Sequence, residues 1–291
     1  MKLLFLGTGA ADHAWSRYGE PGVLGSTASL LEDHILLDCG PTVCRALKRF
    51  DVDTKNITAI VNTHSHSDHF NTEQIREISA GRMIDFYGTI QACEQVKEFC
   101  RIHPITSGDE FEVANVRFLT LPSNHAVTDL KEETFNYLIS CNGKTLLYAL
   151  DTAWMLTKAR RLIGETQIDG IIWDATMSEP HDWRIFEHSD PEMFDSIRKV
   201  LIQTGNVSED VPVYFDHRAR SLWPQELSEQ QKIAERYGAK LAIDGETVTI
   251  QKPDIKCRRN NTLRHFLFHS GEGNGTVFDF SLTGEVKAIR S

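Results

Sequence analysis

The sequence predicts an α/β protein, and three features carry that reading. Short apolar runs rich in β-branched residues recur along the chain, each closed by a turn signal. Segments of helical spacing are interspersed with them. At 291 residues and 41% hydrophobic content, the chain is long enough to bury a sizeable core under both kinds of element.

The elements follow in order. Lys2–Leu6 is a strand that ends in Gly7-Thr8-Gly9, and Ser29–Leu31 and Ile35–Asp38 are two strands around Glu32-Asp33-His34. Thr42–Phe50 has helical spacing, and Ile57–Asn62 is a buried strand that runs into Thr63-His64-Ser65-His66-Ser67-Asp68-His69. Gln91–Cys100 reads as a helix, and Val113–Leu121 as a strand broken by Pro122 just before Asn124-His125. Asn142-Gly143 joins Tyr137–Cys141 to Lys144–Leu150 as a hairpin, with Asp151 at the exit. Gly170–Trp173 is a strand followed by Asp174, and Asp190–Gln203 a helix with Pro191 in its first turn. Val211–Phe215 is a strand that exits into Asp216-His217, and Gln225–Tyr237 is helical. Asp244-Gly245 is expected to turn a last hairpin, Lys240–Ile243 against Thr247–Ile250. Beyond it the composition becomes more basic, with a Gly-rich turn at 270–275. The expected organisation is one domain over residues 1–251 and a C-terminal β extension or tail over 252–291, which covers a sheet edge or helps form a homodimer.

The bulk numbers exclude several function classes. A formal charge of −10 argues against a broad nucleic-acid surface, because phosphate contacts need clustered Lys and Arg. A small anionic substrate stays in view, since a bound cation can supply local positive charge. The apolar run Leu3–Leu6 is too short for a signal sequence, and no stretch approaches the roughly 20 apolar residues of a membrane span. Six cysteines without a C-x-x-C pair read as free thiols in a reducing cytoplasm. Gly7-x-Gly9 is not a dinucleotide fingerprint, because Asp12 stands at the third glycine position.

The chemistry concentrates in His64-x-His66-x-Asp68-His69. Residues two apart on a strand face one side, so His64 and His66 can reach one metal ion, while Asp68 and His69 serve a second after the chain turns. Imidazole with carboxylate suits zinc, with manganese or iron as alternatives. His125, Asp151 and His217 each lie just past the C-terminal end of a predicted strand, where sites collect on rigid elements. Together they complete a two-metal site. His64, His66 and His125 hold the first ion, Asp68, His69 and His217 the second, and Asp151 bridges. Trp154, Trp173, Trp183 and Trp223 are expected in the core or a pocket wall.

The order H-x-H-x-D-H, His, Asp, His resembles the metallo-β-lactamase superfamily over roughly residues 1 to 250. The opening LGTGA, then Ser29-Leu30-Leu31 and Leu36-Leu37-Asp38-Cys39-Gly40, is similar to the branch of ribonuclease Z and the phosphonate-pathway phosphodiesterase. The resemblance implies an αββα sandwich: two mixed β-sheets face to face, with helices outside. It also implies a buried supporting role for Asp38. Asp151 fills a position that true β-lactamases usually leave without a carboxylate, and His66 stands where flavo-diiron oxidases usually have Glu. Phe186-Glu187-His188-Ser189 resembles the Glu-His-Ser/Thr segment of ribonuclease Z, with His188 ahead of a helix and Glu187 orienting it. His181 is the rival for that role.

The implied activity is hydrolysis of a small or cyclic phosphodiester by a hydroxide held between two divalent ions, with Asp68 at the catalytic centre and His188 assisting the leaving oxygen. A lactonase or thioesterase shares the ligand set, and an RNA-processing nuclease shares the segment around His188. The chain lacks both the basic, Gly-rich arm of ribonuclease Z and the Cys-rich zinc site of the phosphonate-pathway enzyme.

Overall fold

In a computed structural model, residues 1–251, 277–280 and 286–289 are described. The chain divides into two compact units, Met1–Pro253 and Asp254–Ser291.

The first unit begins with β1 (Lys2–Gly7), β2 (Ala28–Leu31), β3 (Ile35–Leu37), α1 (Val43–Arg49), β4 (Ala59–Val61), α2 (Thr72–Ser79), β5 (Ile84–Gly88), α3 (Ile90–Val96) and β6 (Cys100–Pro104). It continues with β7 (Glu110–Val113), β8 (Val116–Pro122), β9 (Phe135–Cys141), β10 (Lys144–Ala149), α4 (Thr157–Ile163), β11 (Gly170–Asp174) and α5 (Pro191–Gln203). It closes with β12 (Val213–Asp216), α6 (Leu227–Arg236), β13 (Lys240–Leu241) and β14 (Thr247–Thr249). The strands make two seven-stranded sheets, β14-β1-β2-β3-β4-β5-β6 and β13-β12-β11-β10-β9-β8-β7. Each is mixed: β3 to β6 and β10 to β13 pair in parallel, the others antiparallel.

Strand alternation explains the layering. Leu3 and Phe5 of β1 join Leu37, Val61, Phe118, Tyr137 and Tyr148 in the core between the sheets. Leu4 and Leu6 point the other way, onto α1, α2 and α3 through Val43, Leu47, Ile75 and Val96. Ile171 and Trp173 of β11 do the same on the second sheet, against Phe194, Ile197 and Leu201 of α5. The result is the expected αββα sandwich, and every strand that exits in parallel brings its loop to one edge.

Several expectations are corrected. Lys240–Ile243 and Thr247–Ile250 do not form a hairpin: β13 pairs with β12 in the second sheet and β14 with β1 in the first. The turn is pulled across because the Asp244 carboxylate accepts from Thr8 Oγ1 (2.8 Å) and the Gly25 amide (2.7 Å) of the first sheet's loops. The helix expected over Gln91–Cys100 ends at Val96, and Cys100 opens β6. Helices α2 and α4 and strands β5 and β6 were not legible as elements. Trp173 and Trp223 are buried, but Trp154 and Trp183 are 49% and 64% exposed.

In the second unit, Val277–Phe280 pairs antiparallel with Val286–Ile289; the rest of the expected 252–291 extension lies outside the described residues. Among the described cysteines Cys39, Cys93, Cys100 and Cys141 are buried, Cys44 is partly so, and all five are free. No helix of the described residues is long and apolar enough to cross a membrane.

Candidate metal centre

The site forms where β3, β4, β10, β11 and β12 end. Asp38, Asp151 and His217 follow β3, β10 and β12, and each has positive φ: 60°, 48° and 60°. A left-handed conformation costs a non-glycine residue about 1–2 kcal/mol. Here it turns three side chains back across the strand ends, where the surrounding packing holds them.

All seven residues expected from the sequence as metal ligands come together. His66 Nδ1 and His125 Nε2 stand 3.0 Å apart. Asp151 Oδ2 lies 3.6 Å from His64 Nε2 and 3.5 Å from His125 Nε2. The other oxygen of the same carboxylate, Oδ1, lies 3.0 Å from His69 Nε2 and 3.2 Å from His217 Nε2. His69 and His217 bring their Nε2 atoms to 3.1 Å of each other, and Asp68 Oδ2 is 3.5 and 3.2 Å from them. One carboxylate thus faces two clusters, one with each oxygen.

The donor set fits divalent metal on four counts. Four-coordinate zinc at 2.0–2.1 Å from nitrogen sets its donors roughly 3.3 Å apart, the spacing found within each cluster. His64 Nε2 and Asp151 Oδ1 are buried without a hydrogen-bond partner in the protein. The imidazoles are also oriented from behind. Asp38 Oδ2 accepts from His69 Nδ1 at 2.9 Å. The Thr63 hydroxyl donates to Asp38, so its oxygen accepts from His64 Nδ1 at 2.9 Å. The Thr176 hydroxyl donates to Asp174 and accepts from His217 Nδ1 at 2.7 Å. The Glu187 carbonyl accepts from His125 Nδ1 at 3.2 Å. In each case Nδ1 is engaged from behind and Nε2 is the nitrogen turned to the cluster, where it offers its lone pair once the ring is neutral.

Electrostatics supply the fourth count. Burial pushes the His69 and His217 imidazoles toward the neutral form, but Asp151 and Asp68 override it. His69 is raised well above the ordinary histidine range and His217 up to about 9. Burial would raise Asp151, yet His217 and His69 hold it well below the usual carboxylate range. His64 is pushed well down by burial and His125 down to about 4. The carboxylates draw positive charge into the pocket, and the imidazoles on the opposite side stay neutral and able to ligate.

His188 lies beside the clusters, its ring stacked on His217 at 5.3 Å and 4.8 Å from His125. The sequence pointed to Glu187 as its orienting partner; the bond comes instead from Asp174, whose Oδ2 accepts from His188 Nδ1 at 2.9 Å. Burial lowers the His188 pKa, but the Asp174 carboxylate more than offsets it and raises the imidazole above its ordinary value. Asp174 also accepts from the Thr152 amide next to Asp151 (3.0 Å), so it joins both sides of the site. His181 is exposed and stands in none of the groups of clustered donors. Sequence reasoning gave Asp174 and Thr176 no role. Their one signal was position, since Asp174 ends a fully buried strand at the edge where Asp151 and His217 also lie.

Among the described residues four overlapping groups bring their donor atoms within 4.8 Å of one another inside each group: His64, His66, His125 and Asp151; Asp68, His69 and His217; Asp151, Asp174, His188 and His217; and His125, Glu187 and His188.

Comparison with known proteins agrees with this geometry. Residues 33–201 match the beta-lactamase superfamily domain. Ribonuclease Z of Methanopyrus kandleri is 29% identical over 144 residues, 45% of this chain and 49% of that protein. The chain thus spans about half the length of that curated relative. A diphosphatase from the PhnP family superposes with a TM-score of 0.65 at 19% identity, covering 86% of this chain and 98% of that one. Zn(2+)-bound PqqB from Methylobacterium extorquens superposes at 0.61 and 15% identity, covering 86% and 100%. The short form of human tRNase Z superposes at 0.60 and 19% identity, with the same coverage. Those three structures show a shared fold. The matched segment takes in more than half of the chain and carries His64, His66, Asp68, His69, His125, Asp151 and His188, and the chain belongs to the beta-lactamase superfamily, with the fold of its metal-dependent hydrolases.

Proposed function

We propose that this protein hydrolyses a small or cyclic phosphodiester at a two-metal centre. His64, His66 and His125 hold one ion, Asp68, His69 and His217 the other, and Asp151 joins them. The two oxygens of Asp151, each facing its own cluster, support that division. Divalent ions bound there supply an activated water nucleophile and positive charge for the phosphoryl oxygens. Zinc is our first assignment, given the donor set and the zinc-bound relative of the same fold, with manganese or iron as the alternatives.

The observation that carries the diester reading is the place of His188. Its Nδ1–H is committed to Asp174, which leaves Nε2 as the proton-carrying atom beside the clusters. The Asp174 carboxylate raises the His188 pKa above its ordinary value, which favours the imidazolium form. Diester cleavage expels an alkoxide, which needs a proton as the bond to phosphorus breaks, and a positioned imidazolium gives one. Asp68 and Asp151 hold His69 and His217 in place, while Thr176 ties His217 to the same Asp174 that orients the acid.

The net charge of −10 favours a small substrate over a polynucleotide. The similarity to ribonuclease Z favours a second reading, precursor RNA. We assign the reaction to residues 1–251, and the setting to the cytoplasm, in keeping with the free thiols of the five described cysteines. A panel of a cyclic phosphodiester, a linear alkyl diester, a precursor tRNA, a lactone and a thioester, run on zinc-loaded protein, tests the assignment. A small diester should give the highest kcat/KM. A lactone or thioester turned over much faster refutes the reaction class, and a preference for precursor tRNA refutes the small substrate.

A further inference from the structure

One buried carboxyl group serves the centre without touching it. Glu132 is 7% exposed and lies in the loop between β8 and β9 that also carries His125. Its Oε1 accepts from the Ser65 amide at 2.9 Å and its Oε2 from the Ser65 hydroxyl at 2.6 Å. Oε1 also accepts from Thr89 Oγ1 at 2.8 Å, and Thr89 in turn caps α3 through the Ala92 amide. Ser65 is the residue between His64 and His66. The loop is closed on itself by Thr134 Oγ1, which donates to the His125 carbonyl at 2.8 Å, and by the Ser123 amide, which donates to Thr134 at 2.9 Å. The Phe135 amide donates to Thr63 at 3.1 Å, so the loop is tied to the histidine segment at a second point.

We infer that Glu132 is a positioning residue for the first metal ion alone. It locks the backbone that presents His64 and His66 against the loop that presents His125, and so fixes all three imidazoles at once. The second ion's residues are held by other groups: His69 by Asp38 and His217 by Thr176. Loosening Glu132 frees one half of the centre and leaves the other set. The inference rests on the two-metal reading above. Partners that orient ligands from behind typically change metal affinity by about 10–100-fold when removed, and here that loss falls on one ion.

The test is a zinc titration of metal-free protein against a chromogenic chelator, comparing wild type, Glu132→Ala, Glu132→Gln and Ser65→Ala. Wild type should take up two zinc ions. Glu132→Ala should bind one as tightly as wild type and the other about 10–100-fold more weakly. Glu132→Gln keeps the Ser65 amide and Thr89 bonds through its carbonyl oxygen and should recover most of the loss. A role in overall stability alone would weaken both ions together. If Glu132→Ala does not fold, Ser65→Ala, which removes only the hydroxyl bond, decides by the same criterion of one weakened ion. Two ions weakened alike, or neither weakened, overturns the inference while the two-metal reading stands. Fewer than two zinc ions in wild type overturns that reading and the inference with it.

Discussion

Asp38 lies behind the donor clusters, where its replacement should bear on stability and on metal binding at once. It is fully buried and accepts from Asn62 Nδ2 at 2.9 Å, Thr63 N at 2.7 Å, Thr63 Oγ1 at 3.0 Å and His69 Nδ1 at 2.9 Å. In Asp38→Ala, Asn62 Nδ2 retains the His69 carbonyl, and the Thr63 hydroxyl still accepts from His64 Nδ1. Thr63 N, the Thr63 O–H and His69 Nδ1 lose their acceptor. Three buried donors left bare cost roughly 3–9 kcal/mol. The left-handed backbone, which Asp tolerates better than Ala, adds about 1 kcal/mol. That total is a large share of the about 5–15 kcal/mol that holds a typical domain.

Asp38→Asn separates the two effects. It keeps the size, the backbone preference and an acceptor for Thr63 N, but sets an amide NH2 against His69 Nδ1. His69 must then accept at Nδ1 and carry its proton on Nε2, the atom turned to Asp151 and His217. We predict that Asp38→Asn loses only about 1–2 kcal/mol in urea unfolding of the metal-free protein. One zinc ion should bind about 10–100-fold more weakly. Asp38→Asn protein with wild-type zinc affinity, or Asp38→Ala protein within 1 kcal/mol of wild type, refutes the reasoning.

Three further outcomes follow from the same geometry. His188→Ala should keep both ions and lose roughly 10²- to 10⁴-fold in kcat on an alkyl diester, but much less on a nitrophenyl diester whose leaving group needs little protonation; loss of metal would make it a ligand. Asp174→Asn removes the carboxylate that raises the His188 pKa. Because the acid must be protonated, activity on alkyl diesters falls as pH rises through that pKa, and the variant's alkaline limb should move to lower pH in a kcat profile. Zinc binding should strengthen as pH rises toward 9, because His217, raised to about 9, must shed its proton to ligate; calorimetry in buffers of different ionisation enthalpy should find proton release.

The residues of the candidate site were legible because each combines a side chain able to ligate with a place at or just past a strand exit, and a strand run such as Ile57–Asn62 announces where the chain stops. The fold class came from the same alternation of strand and helix, and the sandwich from the family pattern. The supporting groups were hidden for a physical reason. Glu132 lies between Lys131 and Glu133 in a polar loop, and nothing local distinguishes a carboxyl group buried by a segment 67 residues away from one in solvent. The turn at Asp244-Gly245 misled in a related way: a turn signal says that the chain reverses, and only tertiary pairing decides which sheet each side joins. Helix α2, capped by Asn71 through the Glu73 and Gln74 amides, carries a clear start signal, but its short polar sequence shows little of the apolar face that Ile75 and Ile78 bury.

The central claim is that one bridging carboxylate and five imidazoles with Asp68 hold two ions. A crystal of the zinc-loaded protein, with anomalous scattering measured on both sides of the zinc absorption edge, tests it most directly. The account predicts two zinc peaks, one within bonding distance of His64, His66 and His125, the other of Asp68, His69 and His217, with an oxygen of Asp151 at each. A single peak, or a peak bonded to His188 with Asp174 or Glu187, contradicts it.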